Sequence, residues 1–557
     1  MSFEWCNEES KTLLERKYLD NETVEEASHR IAKYATKILK ASILDKSKFD
    51  PTIEDRIYEC LEKGWFAPAS PTWSNFGTGK GFSISCFSSY LEDSMLSILD
   101  TAKEIGMLSK MGGGTAAYFG DIRARGSQIS LGGESDGPVA FMQIFDAVSR
   151  VVSQGGTRKG STAVYLPIDH PDIEEFLLIR TKGNPIQDLH FAVCVKDQWL
   201  SEMEIGDKEK RKIWAKVLKA RKEVGEPYIF FTDNVNNNRP PVYTDKHMYI
   251  THSNLCSEVK LFTSSSESLV CCLNALNLEK RDEWVHTHAV ETSIYLQDAL
   301  MESFIKDSKG VSGFEKARKF AISQRALGLG TTGFHSYLQS KMIPFESEEA
   351  KKINIEIYSN IQSRAIEASK KMAILYGKAD LLSDDKYNTR HATLMAIAPN
   401  TSSSSIMGQC SPGIEPFQDN YFTVDLAGGI FIRKNKYLQK ILQEKSFDTT
   451  LVWKKIQNDQ GSVKNISCLS DKEKDIFKTF FEIDMNQVVK LAADRQKYID
   501  QGQSLNLYFD PDEKPSKINK VVLNAWKSGI KTLYYQINKR PRLERKEEDN
   551  ECDACSG

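Results

Sequence analysis

Asn254, Cys256 and Glu258 stand two residues apart in the run Asn-Leu-Cys-Ser-Glu-Val at 254–259. In an extended segment, period-two alternation puts all three side chains on one face. An amide, a thiol and a carboxylate held together could orient a ligand, carry a reactive sulfur and move a proton. The competing reading of the same six residues is a surface strand around a packed, inert cysteine. Other thiols widen the chemistry. Cys86 closes the run Phe-Ser-Ile-Ser-Cys, Cys271 and Cys272 follow Cys256 by fifteen and sixteen positions, and the chain ends Cys552-Asp-Ala-Cys555-Ser-Gly. Cys256, Cys86, Cys271, Cys552 and Cys555 are five candidates for one redox circuit.

Several stretches could hold a ligand. Residues 65–86 are rich in Gly, Ser, Thr and Pro, which favours tight turns with free backbone amides. Gly112, Gly113 and Gly114 let the backbone approach a sugar or a phosphate, although a glycine triplet has many structural explanations. The glycine-rich basic loop at 153–161, which includes Arg158, fails the P-loop spacing. Gly328, Gly330 and Gly333 fit GxGxxG, but no convincing strand precedes them and no acidic residue follows at the dinucleotide-binding distance. Asn400, Thr401, Ser402, Ser403 and Ser404 follow Pro399 and precede a segment that can begin a helix, so hydroxyls and unsatisfied amides there suit a pyrophosphate. Tyr534 and Tyr535 are adjacent, and on their own would be read as core aromatics.

Composition limits the function. With 557 residues, 40% hydrophobic content and no apolar run long enough to span a bilayer, the chain reads as a globular protein with no membrane partner. A net charge of -2 argues against coating a nucleic acid. The N-terminus lacks a signal peptide, and eleven cysteines suit a reducing compartment, so the cytoplasm is expected. No His/Cys cluster has metal-ligand spacing, so no metal is expected in this chain and radical chemistry would need a radical made elsewhere.

From about residue 12 to the last residues, the sequence resembles the large, catalytic subunit of class I ribonucleotide reductases. The resemblance implies a ten-stranded α/β barrel with Cys256 on a finger loop through its centre. It implies that ribonucleoside diphosphates become 2′-deoxyribonucleoside diphosphates by thiyl-radical chemistry at Cys256, with Glu258 as base and Asn254 as orienter. Cys86 and Cys271 would supply the electrons, with Cys272 as the alternative partner, and the tail pair Cys552 and Cys555 would reset them. Tyr534 and Tyr535 would relay the radical from a metal-containing small subunit. Ser70, Ser85, Gly114 and the 400–404 loop would bind substrate together with Asn254 and Glu258. Asp93, Ser94, Met95, Arg123 and Arg158 would bind a dNTP or ATP effector. A second family arginine is absent, Ser130 standing seven positions after Arg123, so either Arg125 substitutes for it or effector binding is weaker or differently posed. Thioredoxin or glutaredoxin is the expected reductant and a homodimer the expected assembly. The resemblance starts almost at Met1, so no N-terminal ATP-sensing domain is expected, and the compact length suggests a virus-encoded enzyme of the host cytoplasm.

These residues need elements to position them. The reading divides the chain into a helical region at 1–65, the barrel at 66–540 and a mobile charged tail at 541–557. Helical spacing fills 27–35 and dominates from about 280 to 395, while 163–166 and 189–195 read as strands. His190 and Cys194, on the second of these, are read as structural. Two other functions share some of this pattern. A cobalamin-dependent reductase would keep the Asn-x-Cys-x-Glu motif and tail thiols without needing the tyrosines. An inactive homologue would bind nucleotides without turnover.

Overall fold

The computed structural model describes residues 3–130, 132–154, 158–426 and 429–539, with the backbone alone for 153, 154, 158, 159, 425, 426 and 429. The first part is helical. The Val24–Ser42 helix buries Ala27, Ile31, Ala35 and Ile38, a three-and-four spacing that makes one apolar stripe. Thr23 and Glu26 form a reciprocal capping box at its start. The stripe packs against the Ile53–Glu62 helix and the long Ala289–Asp307 helix.

The remainder curls into a barrel. β1 (Phe66–Pro68) lies outside the ring. β2 (Cys86–Tyr90), β3 (Thr115–Tyr118), β4 (Thr162–Pro167), β5 (Leu189–Val195) and β6 (Tyr228–Phe231) lie side by side and parallel. Every residue of β3 and β6 is buried, as expected for strands covered on both faces. β7 (Leu269–Asn277) runs antiparallel to β2 and, through its far end, to β1, while β8 (Leu327–Thr332) is parallel to β7. β9 (Leu507–Phe509), β10 (Thr532–Leu533) and β11 (Gln536–Asn538) belong to the closure, with β10 antiparallel to β6 and β9 parallel to β11.

Two extended runs without regular ladders complete the ring. Leu329 donates to the Leu394 carbonyl at 2.7 Å, Ile397 to Gly502 at 3.0 Å, and Tyr534 to Leu505 at 2.8 Å. Ten extended segments therefore follow one another around the barrel: β2 to β6, the β10 chain end, 501–507, 393–397, β8 and β7. Asp500 fixes this seam by accepting from the backbone amides of Leu394 and Met395 at 2.7 and 2.8 Å.

The glycine-rich stretch 327–333 is a strand, not the pair of turns its composition suggests. A Cβ on Gly330 would stand 2.6 Å from the Ala396 carbonyl oxygen, and one on Gly328 would meet Leu273 at 2.6 Å. Glycine is needed there because two neighbouring segments approach its backbone closely. Among the described residues, no helix is long and apolar enough to cross a membrane.

Candidate active site

Residues 252–261 are buried throughout, yet they form no strand. Their partners come from all round the ring. Tyr165 on β4 donates its hydroxyl to the Asn254 carbonyl at 2.6 Å, His252 meets Ser88 on β2 at 2.7 Å, and Thr532 on β10 donates to the Ser257 carbonyl at 2.8 Å. The segment is thus a finger running up the barrel interior. It is not extended throughout: Ser257 takes a left-handed backbone, φ +67°, between Cys256 and Glu258. The alternation argument for one shared face therefore fails locally, and the turn brings the Asn254 and Glu258 side chains together instead.

Asn254 donates its amide to Glu258 Oε1 at 2.8 Å and lies 3.7 Å from Cys86 Sγ. Its own carbonyl oxygen accepts from the Val259 amide at 3.1 Å, so the side chain is fixed at both ends. Ser504 Oγ stands 2.5 Å from the Cys256 carbonyl and 3.1 Å from Glu258 Oε2. Cys86 on β2 lies directly opposite Cys271 on β7 in the antiparallel register, and Gln501 donates to Cys271 Sγ at 3.7 Å. Cys256, Cys86, Cys271 and Glu258 are each at most 4% exposed. Burial pushes the Cys271 thiol well above its ordinary pKa, outweighing the Gln501 contact, which favours a protonated thiol. Burial also raises the Glu258 carboxyl, against its hydrogen bonds from Asn254 and Ser504 and the charge of Lys260.

Of the loop residues named from sequence, Gly114 and Ser85 stand against this cluster. Gly114 pairs with Cys86, and its amide donates to the Ser85 carbonyl at 2.7 Å. Ser70 is buried at the start of the Ser70–Asn75 helix. Asn400, with φ +57°, turns the chain into the Thr401–Ile406 helix and donates to the Thr331 carbonyl at 3.0 Å. Ser403 donates to the Pro68 carbonyl at 3.1 Å. Thr401, Ser402 and Ser404 line a cleft of about 1640 Å³ that Tyr535 also borders.

Tyr534 and Tyr535 have ring centres 4.3 Å apart, and Tyr228 on β6 lies 4.6 Å from the first and 5.1 Å from the second. Tyr535 Oη is 3.2 Å from His190 Nδ1, and the same nitrogen lies 2.6 Å from the buried Glu226, which Arg180 also holds at 2.5 Å. His190 thus sits beside the tyrosine pair, a placement its strand pattern did not reveal.

The effector candidates form a second group. Arg123 Nε donates to Asp93 Oδ2 at 2.6 Å, Ser94 caps the Met95–Lys110 helix through the Ser97 amide, and Met95 is exposed at its start. Arg125 pairs with Glu175 at 2.8 Å, not with Asp93. The Arg158 side chain, Cys552 and Cys555 lie outside the described residues.

The all-alpha domain of ribonucleotide reductase matches residues 5–81, and its barrel domain matches 84–209, 201–389 and 382–536. The chain belongs to the ribonucleotide reductase large-subunit family. A ribonucleoside-diphosphate reductase large subunit from Invertebrate iridescent virus 3 is 33% identical over 597 residues, covering 91% of this chain and 93% of that one. The Arabidopsis thaliana large subunit is 29% identical over 628 residues, covering 95% and 75%. The solved structure of the Actinobacillus ureae class Id ribonucleotide reductase alpha subunit is 44% identical with a TM-score of 0.90, covering 97% and 98%. As a ribonucleotide reductase large subunit, the chain is an oxidoreductase that converts ribonucleotides to deoxyribonucleotides, and a small subunit is its partner.

Sequence reasoning did not find Ser504, Gln501, Tyr228 or Lys260. The first two lie about 230 to 250 residues from the groups they touch, and no local pattern marks them. Lys260 did carry a signal: a lysine inside the otherwise uncharged run that follows Glu258.

Proposed function

We propose that the chain reduces ribonucleoside diphosphates at Cys256. The observation that carries this reading is the contact chain Cys86–Asn254–Glu258, with Cys86 facing Cys271 across two strands. The Tyr534–Tyr535 pair relays an electron from Cys256 to the small subunit, whose metal centre supplies the radical. The Cys256 thiyl takes the 3′ hydrogen of the substrate. Glu258 accepts the 3′ hydroxyl proton while Asn254 orients the sugar. Cys86 and Cys271 then protonate the departing 2′ hydroxyl, which leaves as water, and give two electrons, ending as a disulfide, while Glu258 returns the proton and Cys256 the 3′ hydrogen, restoring the thiyl. Cys552 and Cys555 exchange with that disulfide and pass it to thioredoxin or glutaredoxin.

The buried, protonated state favoured at Cys271 suits a proton donor. The amides and hydroxyls of Ser70, Ser85, Gly114 and Asn400 to Ser404 hold the diphosphate and sugar. Asp93, Ser94, Met95, Arg123 and Arg158 bind a dNTP or ATP, and two copies of the chain form the working dimer in the cytoplasm, that of the host if a virus encodes it.

Reduction of labelled CDP tests this with candidate small subunits, dithiothreitol and an effector, beside Cys256→Ser. Deoxycytidine diphosphate formed only with a small subunit and intact Cys256 is expected. Product formed with adenosylcobalamin and no small subunit, or retained in Cys256→Ser, would overturn the reading.

A further inference from the structure

Lys260 is fully buried in the finger, two residues after Glu258. Its ammonium donates to Ser253 Oγ at 2.9 Å and to the Ser257 carbonyl, and it stands 5.4 Å from the centre of the Phe230 ring. Ser253 in turn donates to the Val259 carbonyl at 2.6 Å. The lysine thus ties the two ends of the 253–259 turn together from behind. With Thr532 it satisfies both lone pairs of the Ser257 carbonyl, whose residue has the left-handed backbone between Cys256 and Glu258. Among the described residues, no carboxylate comes within ion-pair distance of Lys260. A buried cation so placed is costly to keep.

We propose that Lys260 is a positioning residue of the reductase site: its ammonium fixes the turn that aims Cys256 and Glu258, and its charge favours the carboxylate form of Glu258. The proposal rests on the reading of Glu258 as the group that accepts the substrate's proton. A carboxyl buried in an apolar wall drifts toward its neutral form, which cannot accept a proton. A cation held by the Ser253 hydroxyl and the Ser257 carbonyl opposes that drift.

Other ionisable groups face the pair. Tyr165 on β4, Cys194 on β5 and Cys271 on β7 are all pushed up by burial and stay neutral, and burial pushes His252 down to about 3. Lys531 beside β10 is lowered by burial to about 8 with Asp500 opposing, and burial brings Asp500 up to about 6. Burial pushes Lys260 well below the ordinary lysine range, Glu258 opposes that shift, and Lys531 adds to it. The Glu258 and Lys260 charges therefore stand or fall together.

The pH profile of CDP reduction by the complete enzyme tests this with Lys260→Gln, which keeps a donor but no charge, and Lys260→Met, which keeps neither. Loss of the cation lets the Glu258 pKa climb, so the acid limb of kcat/KM moves up by about one pH unit in both variants. Lys260→Met should in addition lose kcat at the alkaline plateau. An acid limb unmoved in Lys260→Gln overturns the proposal. Should that variant not fold, infrared difference spectra of the wild type against Glu258→Gln at pH 6 decide: a carboxylate band supports the proposal, and a carboxylic-acid band alone overturns it. Glu258→Gln that still turns over would instead sink the assignment of Glu258 as base, separately from Lys260.

Discussion

Cys271 and Cys272 are neighbours whose side chains take opposite faces of β7. Cys271 faces Cys86 and Gln501, while Cys272 looks toward Asp298 on the helical side, where its carbonyl also accepts from Gln297 at 2.8 Å. The alternation of a strand makes the choice between them. Cys271→Ser should abolish multiple-turnover reduction with thioredoxin, by at least about a thousandfold if its proton and electrons are both needed. Cys272→Ser should stay within a few-fold of wild type, because its thiol is packed away from the site. Equal loss in the two, measured as labelled CDP reduced per enzyme, would remove this assignment. Residue types and spacing drew attention to Asn254, Cys256 and Glu258, and the family resemblance picked Cys86 and Cys271 out of eleven cysteines. They left His190 as a structural residue and Ser504 unnoticed, because the partners of both lie hundreds of positions away.

At the level of elements, the finger depends on one backbone angle. Ser257 holds φ +67° with its carbonyl gripped by Thr532 and Lys260. Glycine adopts that angle freely, whereas a β-branched residue pays about 1–2 kcal/mol or more. Ser257→Gly should therefore keep its urea midpoint within about 1 kcal/mol of wild type. Ser257→Val should lose roughly 2 kcal/mol and lose activity out of proportion to that loss, because the turn aims two reacting groups. Equal stability of the two variants would show that the turn is not under strain. Strands β4 and β5 were legible from their apolar runs, and the helices from their spacing. β8 was not, because Gly328 and Gly330 answer to the segments beside them and not to strand propensity. The extended reading of 254–259 failed for a related reason: its turn is set by donors on β10 and on the finger itself.

Across the whole molecule, the segment that closes the barrel is anchored to the surrounding helices by charge. Asp298, on the Ala289–Asp307 helix, accepts from Arg390 at 2.9 Å and His391 at 3.1 Å, just before the 393–397 run, and pairs with Arg325 at 3.5 Å. Burial alone would raise its pKa, but Arg390 above all, with His391 and Arg325, holds it well below the usual carboxylate range. A depressed folded pKa gives stability that is present above the unfolded value near 4 and lost as pH falls below it. Asp298→Asn should cost about 3 kcal/mol at pH 7, because Arg325 and the buried Arg390 would then share Glu302 alone, at 2.7 and 3.9 Å. The deficit should shrink toward pH 3 in urea titrations, and a deficit independent of pH would argue against the ionic anchor. Such closure was not readable beforehand, since the runs at 393–397 and 501–507 have no alternation of their own. The ten-stranded barrel came from resemblance, and hydrogen bonds across the seam give its physical form.

The pairing of Cys86 with Cys271 reaches beyond catalysis. The two residues are close in space and 185 positions apart along the chain, so a bond between them would knot the unfolded polypeptide into a very large loop. By chain entropy, such a link disfavours unfolding by roughly 5 kcal/mol. The spent enzyme should thus be hardier than the enzyme ready to work, and each turnover would pass through a state more resistant to heat and proteolysis. Melting after one round of CDP reduction without reductant, against the same sample with dithiothreitol, should show the higher midpoint in the spent form. Coincident midpoints would mean that the oxidised link is strained enough to cancel its entropic advantage, or that it forms elsewhere.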